Sequence, residues 1–223
     1  MGKMTIGQMV AQLAGGMLIS TQIFVITLLF SLPLGLIVAF GRLSKNRVIS
    51  MIVKFYISIM RGTPLMLQLM VVYFGPYYLF HIKVGSGYRL TATFIGFVIN
   101  YAAYFAEIYR AGVQSIDHGQ HEAAKTLGFS RWQTMRIIII PQTIARVIPP
   151  VSNEVITLIK DTALVTAIGV GELLKAAKDA NNRDVNPTAF FIAAVIYLAL
   201  TFLLTLLSQW CEKRFSRHER KEA

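Results

Sequence analysis

The sequence predicts an all-α integral membrane protein, a helical bundle with about five transmembrane helices. Apolar residues make up 55% of the 223-residue chain and charged residues only 15%, and the mean hydropathy is +0.56. Several apolar windows approach the roughly 20 residues that cross the hydrocarbon core of a bilayer. The net charge of +11 comes from Lys and Arg that lie mostly between and after these windows. This placement favours membrane orientation over nucleic-acid binding as its explanation.

The apolar windows divide the chain in order. The predicted spans are 16–40, 50–79, 92–113, 137–159 and 189–210. Residues 1–15 precede them and are weakly amphipathic, so they are predicted to lie at the membrane interface. The transmembrane domain is thus expected to cover 16–212, and 213–223 to form a cytoplasmic tail.

The second predicted span contains a bend. Pro64 lacks a backbone N–H and disfavours helix at Thr63, while Gly62 loosens the turn before it. Because a bend near mid-membrane can line a passage, Thr63 is predicted to belong to a substrate pathway. The neighbouring Arg61 is predicted to neutralise Glu107 on the third span.

Polar side chains inside apolar spans indicate function, because each is costly in lipid unless it meets a partner or water. On the third span, Asn100, Tyr104 and Glu107 fall at i, i+4 and i+7, which places them on one stripe of a helix. Glu107 also precedes Arg110 by three residues. A local ion pair is therefore an alternative to a pathway role for Glu107.

The fourth predicted span carries the adjacent prolines Pro149 and Pro150, which predict a break or kink. Asn153 and Glu154 follow and are predicted to form a cavity wall. Glu154 suits an ammonium group, and a half-helix N-terminus after Pro150 would suit a carboxylate. Asp161 is a further pathway candidate at the outer end of this span, where snorkelling of its neighbours to water is the alternative.

Residues 117–136, between the third and fourth spans, form a polar and cationic helix-turn-helix pattern. Asp117 is the predicted N-cap of a short helix, which Gly128 ends in a left-handed conformation. Ser130 and Gln133 predict a capping box at the start of a second helix.

Two aromatic side chains, Phe129 and Trp132, are expected to project from this elbow among basic residues. Aromatic anchors with a basic rim are typical of a protein interface. An amphipathic helix that lies on lipid headgroups is the alternative.

The positive-inside rule gives the orientation. With the N-terminus outside, the inner segments carry thirteen Lys and Arg residues and the outer segments seven. The C-terminus and the elbow are then cytoplasmic. The sequence has no GxxxxGK[ST] phosphate loop, HExxH or CxxC motif, which predicts no catalytic residue, metal site or cofactor in this chain. Work against a gradient must then be driven by a partner or by ions.

The elbow resembles the cytoplasmic docking loop of ABC importer permeases. That signature has Glu-Ala-Ala, a Gly six residues after the Glu, and then an Ile and a Pro. Its places are filled here by Glu122, Ala123, Ala124, Gly128, Ile138 and Pro141. The match extends over roughly 16–211 to the polar amino-acid uptake branch of these permeases. The other segments that carry this resemblance are the RGTP run at 61–64 with Gln68, residues 106–116, Gly119-Gln120 and Pro141-Gln142.

This resemblance implies the permease subunit of a type I importer in the bacterial inner membrane, for a polar or cationic amino acid. Its expected partners are a cytoplasmic subunit that binds ATP and Mg, a second copy or a sister permease, an extracellular or periplasmic substrate-binding protein, and membrane lipid. The resemblance assigns coupling to the ATPase to Glu122, Ala123, Ala124 and Gly128, with Phe129 and Trp132 beside them. An ion-coupled secondary transporter is the alternative, but no internal repeat supports it.

Overall fold

The computed structural model describes residues 5–83, 85 and 87–215. In this part of the chain all regular structure is helical. The helices are α1 (Ile6–Arg42), α2 (Arg47–Gly62), α3 (Leu65–Phe80), α4 (Tyr88–Gln114), α5 (His118–Thr126), α6 (Arg131–Gln133), a π-helical segment (Thr134–Ile139), α7 (Ile140–Asp161), a 3-10 segment (Thr162–Ile168), α8 (Leu173–Asp184) and α9 (Thr188–Phe215). The predicted all-α fold is confirmed.

Helix α1 begins ten residues before the predicted first span. Thr5 caps it through a reciprocal capping box with Gln8. Its 37 residues extend about 55 Å, well beyond the roughly 30 Å of a hydrocarbon core. Residues 6–15 of the segment predicted to lie at the interface are therefore continuous with the first span, and Met9 and Leu13 are buried against α8 and α9. Residues 1–4 of that segment lie outside the described residues.

The predicted bend in the second span is a complete break. The direction of the chain changes by 108° from α2 to α3, and Thr63 and Pro64 lie in extended conformation between them. The physical cause is the one the sequence gives, because Pro64 cannot donate the hydrogen bond that would continue α2.

Three of the described helices, α1, α4 and α9, are long and apolar enough to cross a membrane, and the α2–α3 pair adds a fourth if it is one broken span. The predicted fourth span corresponds to the π-helical segment with α7, which is not among them. Its polar side chains, including Arg146 and Glu154, lower its hydropathy. A crossing by α7, and with it the count of five, stays a prediction.

Helix α7 runs without interruption through Pro149 and Pro150. The predicted break, and with it the half-helix N-terminus expected after Pro150, is therefore wrong, and the alternative of a kink stays a prediction. Proline fixes φ near −65°, which is compatible with a helix, and the hydrogen bonds of the neighbouring turns keep the helix continuous.

Helices α1 and α4 form the centre of the bundle. An added Cβ at Gly35 would lie 2.8 Å from the Cβ of Phe105 and 3.1 Å from the carbonyl oxygen of Ala102, so the two backbones are in close contact. Around this contact Phe97, Tyr101 and Phe105 are fully or almost fully buried. Helix α4 therefore holds its polar stripe in a fixed position.

Helix α8 lies between 160 and 188, where the sequence predicted no helix. The fully buried carboxylate of Glu172 caps it, since Leu174 N–H and Lys175 N–H donate to it at 2.8 and 2.7 Å. Thr166 and Tyr197 donate their hydroxyls to the same carboxylate at 2.8 and 3.0 Å. Glu172 thus connects α8 to the 3-10 segment and to α9.

Candidate coupling elbow and substrate groove

The first arm of the elbow is α5, and both of its ends follow the sequence prediction. The Gly119 N–H donates to Oδ1 of Asp117 at 2.6 Å, which makes Asp117 the N-cap. Gly128 takes φ = +79°, and the Phe129 N–H then donates back to the Ala124 carbonyl at 3.0 Å. A Cβ at Gly128 would be strained in this left-handed conformation, so glycine is the residue that allows the turn.

The second arm starts at the predicted capping box. The Ser130 N–H donates to Oε1 of Gln133 at 2.8 Å, and the Gln133 N–H donates to Oγ of Ser130 at 3.3 Å. The chain then passes through α6 and the π-helical segment Thr134–Ile139 before α7 begins. π-Helical turns occur often at functional sites, and this one joins the elbow to the helix that carries Glu154.

The exposed surface of the elbow contains both polar and large apolar side chains. Glu122 and Ala123 are exposed, Leu127 is 74% exposed and Trp132 is 68% exposed, whereas Ala124 is 1% exposed. Phe129 is half-buried. Trp132 is therefore exposed as predicted, Phe129 is only partly exposed, and Leu127 is exposed as well.

Leu127 was not among the residues predicted from the sequence. The signal was an apolar residue directly before the glycine that ends α5, on a helix that is otherwise polar. A groove of about 730 Å³ separates the two arms of the elbow. It is lined by Gln120, Ala123, Ala124, Leu127, Ile137, Ile138, Pro141, Gln142, Ala145 and Arg146. An apolar floor with polar ends suits a helix or loop of a partner protein.

A second groove, here called the substrate groove, has a volume of about 620 Å³ and lies between α2, α4 and α7. It is lined by Arg61, Tyr104, Glu107, Ile108, Ala111, Gly112, Ser115, Arg146, Pro150 and Glu154. Three of the predicted pathway residues, Tyr104, Glu107 and Glu154, are thus brought together. Arg146, which the sequence analysis left without a role, also lines this groove.

Charges of both signs face the substrate groove. Arg110 donates to both carboxylate oxygens of Glu107, with 2.9 Å from Nε to Oε2. One guanidinium nitrogen of Arg61 lies 3.9 Å from Oε1 of Glu107, and the guanidinium carbon is 5.4 Å from the ring centroid of Tyr104. Both ion pairs predicted for Glu107 are present. Glu154 is half-buried and has no ion pair or side-chain hydrogen bond among the described residues.

The other predicted pathway residues lie outside the lining of the substrate groove. Asn100 is 4% exposed and donates to Gln68 and to the Met60 carbonyl. Thr63 is exposed at the α2–α3 break, where its hydroxyl accepts a hydrogen bond from Gln68 at 2.8 Å. Asn153 is exposed on α7.

Asp161 is the seventh pathway candidate, and it lies at the end of α7. Its Oδ2 accepts a hydrogen bond of 2.8 Å from the hydroxyl of Tyr101, a residue that is 2% exposed. The arrangement joins α4 to the end of α7, and neither Tyr101 nor Asp161 belongs to the lining of the substrate groove.

Comparison with known proteins gives the family. The family described as the binding-protein-dependent transport system inner membrane component matches residues 31–217. The chain is 37% identical over 210 residues to the histidine/lysine/arginine/ornithine transport system permease protein HisM of Escherichia coli (strain K12), covering 91% of this chain and 88% of HisM. It is 36% identical over 205 residues to the arginine transport system permease protein ArtQ of Bacillus subtilis (strain 168), covering 92% of each.

A crystal structure of an amino acid ABC transporter with histidines has the same fold. Its TM-score is 0.87 at 30% sequence identity, over 96% of this chain and 99% of the other. The family match covers the break, the elbow and all the residues of both grooves. The protein therefore belongs to the binding-protein-dependent transport system inner membrane components, the membrane-spanning permease subunits of ABC importers.

Proposed function

We propose that this permease forms the translocation pathway for a polar or cationic amino acid. The observation that carries the proposal is the substrate groove, in which Glu154 and the Arg61–Glu107 pair face one opening. An amino acid has an ammonium and a carboxylate on one carbon, and a groove with both signs of charge is complementary to it. The amino acids named for the relatives, arginine and histidine among them, agree with this choice.

Each charged side chain has a distinct part in this proposal. Glu154 forms no ion pair or side-chain hydrogen bond among the described residues, so its carboxylate is available to an ammonium or guanidinium group. Arg61 is held loosely, at 3.9 Å from Glu107, while Arg110 holds Glu107 more tightly. Arg61 can therefore turn to the substrate carboxylate, with which a guanidinium forms paired hydrogen bonds.

The energy comes from a partner. A cytoplasmic subunit binds and hydrolyses ATP with Mg, and it contacts the elbow through Leu127 and Trp132, with Glu122 and Ala123 beside them. Nucleotide-driven closure of the partner moves the elbow, and the continuous π-helical segment and α7 carry this motion to Glu154. A second copy of this chain or a sister permease completes the pathway. An external binding protein delivers the amino acid.

The proposed orientation puts the N-terminus outside and the C-terminus and elbow in the cytoplasm of a bacterial cell, in the inner membrane. Its support is the excess of Lys and Arg in the inner segments. A reporter that works only in the cytoplasm should therefore be active when it is fused after Ala223. Activity of a periplasmic reporter at that position would contradict the orientation.

Transport by the purified importer tests the function. This chain, its ATP-binding subunit and any sister permease are placed in vesicles with the loaded binding protein, and uptake of labelled arginine, lysine, histidine and glutamine is compared with that of leucine. We expect uptake of polar or cationic amino acids that requires ATP hydrolysis. Uptake driven by a proton or sodium gradient without ATP would overturn the proposal.

A further inference from the structure

The break between α2 and α3 leaves backbone carbonyls at the end of α2 without a helical donor, among them those of Met60 and Thr63. In a continuous helix, the carbonyl of Met60 would accept from the N–H of residue 64, but that residue is Pro64 and has none. The carbonyl of Thr63 would accept from Leu67, whose N–H donates instead to the Pro64 carbonyl at 3.0 Å. An unsatisfied carbonyl is costly inside a membrane protein.

The side-chain amide of Gln68 fills this gap. Its Nε2 lies 2.9 Å from the Met60 carbonyl, 3.1 Å from the Thr63 carbonyl and 2.8 Å from the Thr63 hydroxyl. Its Oε1 accepts a 2.9 Å hydrogen bond from Asn100 on α4, and Asn100 donates to Met60 as well, at 3.1 Å. Two amides therefore replace the missing N–H groups and join three helices at one point.

Close packing below the break fixes the same three helices. An added Cβ at Gly96 on α4 would lie 2.8 Å from a side-chain methyl of Leu69 on α3, so these helices are in contact directly beside Gln68. On the α2 side, the Tyr56 hydroxyl donates to the Ile99 carbonyl at 2.5 Å. The Gln68–Asn100 pair thus lies beside close contacts that join α4 to both α2 and α3.

The Gln68–Asn100 pair lies next to Arg61. Among the described residues of α2, Arg61 is the one that lines the substrate groove. Arg61 follows Met60 directly, so the direction of its side chain depends on the last turn of α2, which Gln68 and Asn100 hold. In this arrangement Arg61 faces the ring of Tyr104 and the carboxylate of Glu107.

We propose that Gln68 and Asn100 are positioning residues for transport, which hold the broken end of α2 so that Arg61 faces the substrate groove. This inference rests on the proposed function of the groove. Neither amide needs to touch the substrate. They affect the substrate only through the position of Arg61. Both are required because Pro64 lacks the backbone N–H that would otherwise bind the Met60 carbonyl.

The test uses the complete importer in vesicles, with transport rates normalised to the amount of assembled complex. Gln68→Met keeps the length of the side chain and removes every hydrogen bond, and we expect the maximal rate to fall on the order of tenfold, the equivalent of one to two net hydrogen bonds. Gln12→Met is the matched control, since it removes one hydrogen bond, to Arg183, far from the groove.

A double-mutant cycle separates positioning from simple stabilisation. If Gln68 acts through Arg61, Gln68→Met should have little further effect on an Arg61→Met importer. Equal losses in both backgrounds would overturn the proposal, and so would a wild-type rate for Gln68→Met. If Gln68→Met does not assemble, Gln68→Glu replaces it in the same cycle, since it keeps the acceptor for Asn100 and removes the donors. Failure of the unmodified importer to transport any amino acid would instead contradict the proposed function.

Discussion

Tyr101 and Asp161 form a hydrogen bond of 2.8 Å between the middle of α4 and the end of α7. Tyr101 is buried in the central cluster, between Phe97 and Phe105. Asp161 lies outside the lining of the substrate groove, so this bond favours a structural part for Asp161 over contact with the substrate.

The Tyr101–Asp161 bond gives the first prediction. Tyr101→Phe keeps the ring and removes the hydroxyl, and we expect a loss of about 1 kcal/mol in the free energy of unfolding, typical of a hydrogen bond between membrane helices. Thermal unfolding of the purified complex measures it. The relative rates for different amino acids should stay as in the wild type. A changed substrate preference would restore Asp161 as a pathway residue.

The second prediction concerns the charge of Glu154. Glu154→Gln keeps the shape and removes the negative charge, so uptake of arginine and lysine should fall about tenfold or more relative to that of glutamine, since a partly buried charge pair is worth about 1.5–3 kcal/mol. Competition between labelled amino acids measures the ratio. Glu212→Gln near the end of α9 is the matched control and should leave the ratio unchanged. An unchanged ratio in Glu154→Gln would remove Glu154 from the site.

The third prediction concerns Leu127 on the elbow. An exposed apolar side chain beside a basic rim is a candidate for a binding hot spot, whose truncation costs about 2 kcal/mol or more. Leu127→Ser should therefore weaken retention of the ATP-binding subunit about thirtyfold, with the membrane fold intact. Copurification in detergent measures it. Leu198→Ser, at a site on α9 that is exposed to a similar degree, should retain the subunit fully.

A fourth prediction compares two glycines of α1. A Cβ at Gly35 would lie 2.8 Å from Phe105 Cβ and 3.1 Å from a backbone oxygen, whereas a Cβ at Gly15 would meet nothing within 4 Å. Gly35→Ala should lower the free energy of unfolding by about 1–3 kcal/mol, the usual cost of overpacking. Gly15→Ala should be neutral or slightly stabilising, since alanine favours helix over glycine. Equal stabilities of the two variants would contradict the close contact of α1 with α4.

Local chemistry made the elbow predictable from the sequence. Asp117, Gly128, Ser130 and Gln133 each act on backbone groups within a few residues, so their caps and turn can be derived without any tertiary contact. The same reasoning located the α2–α3 break at Pro64, because the missing donor is a property of proline alone.

Features that depend on distant contacts could not be predicted in this way. The buried carboxylate of Glu172, for example, also accepts hydrogen bonds from Thr166 and Tyr197, which come from two other segments. Asn100 shares a helical stripe with Tyr104, as predicted, but its partner Gln68 lies across the break on α3. Helical periodicity predicts on which face of a helix a residue lies, but it does not predict which residues of other helices contact that face.

The two prolines within α7 have a consequence for hydration. Pro149 cannot donate to the carbonyl of Ala145, and both prolines are exposed, with Pro150 on the wall of the substrate groove. We expect water to bind this carbonyl, since a carbonyl that lacks its helical donor at membrane depth is tolerated only beside protein donors or water. Solvent held in this place would let a charged solute exchange its own hydration shell in steps instead of losing it all at once.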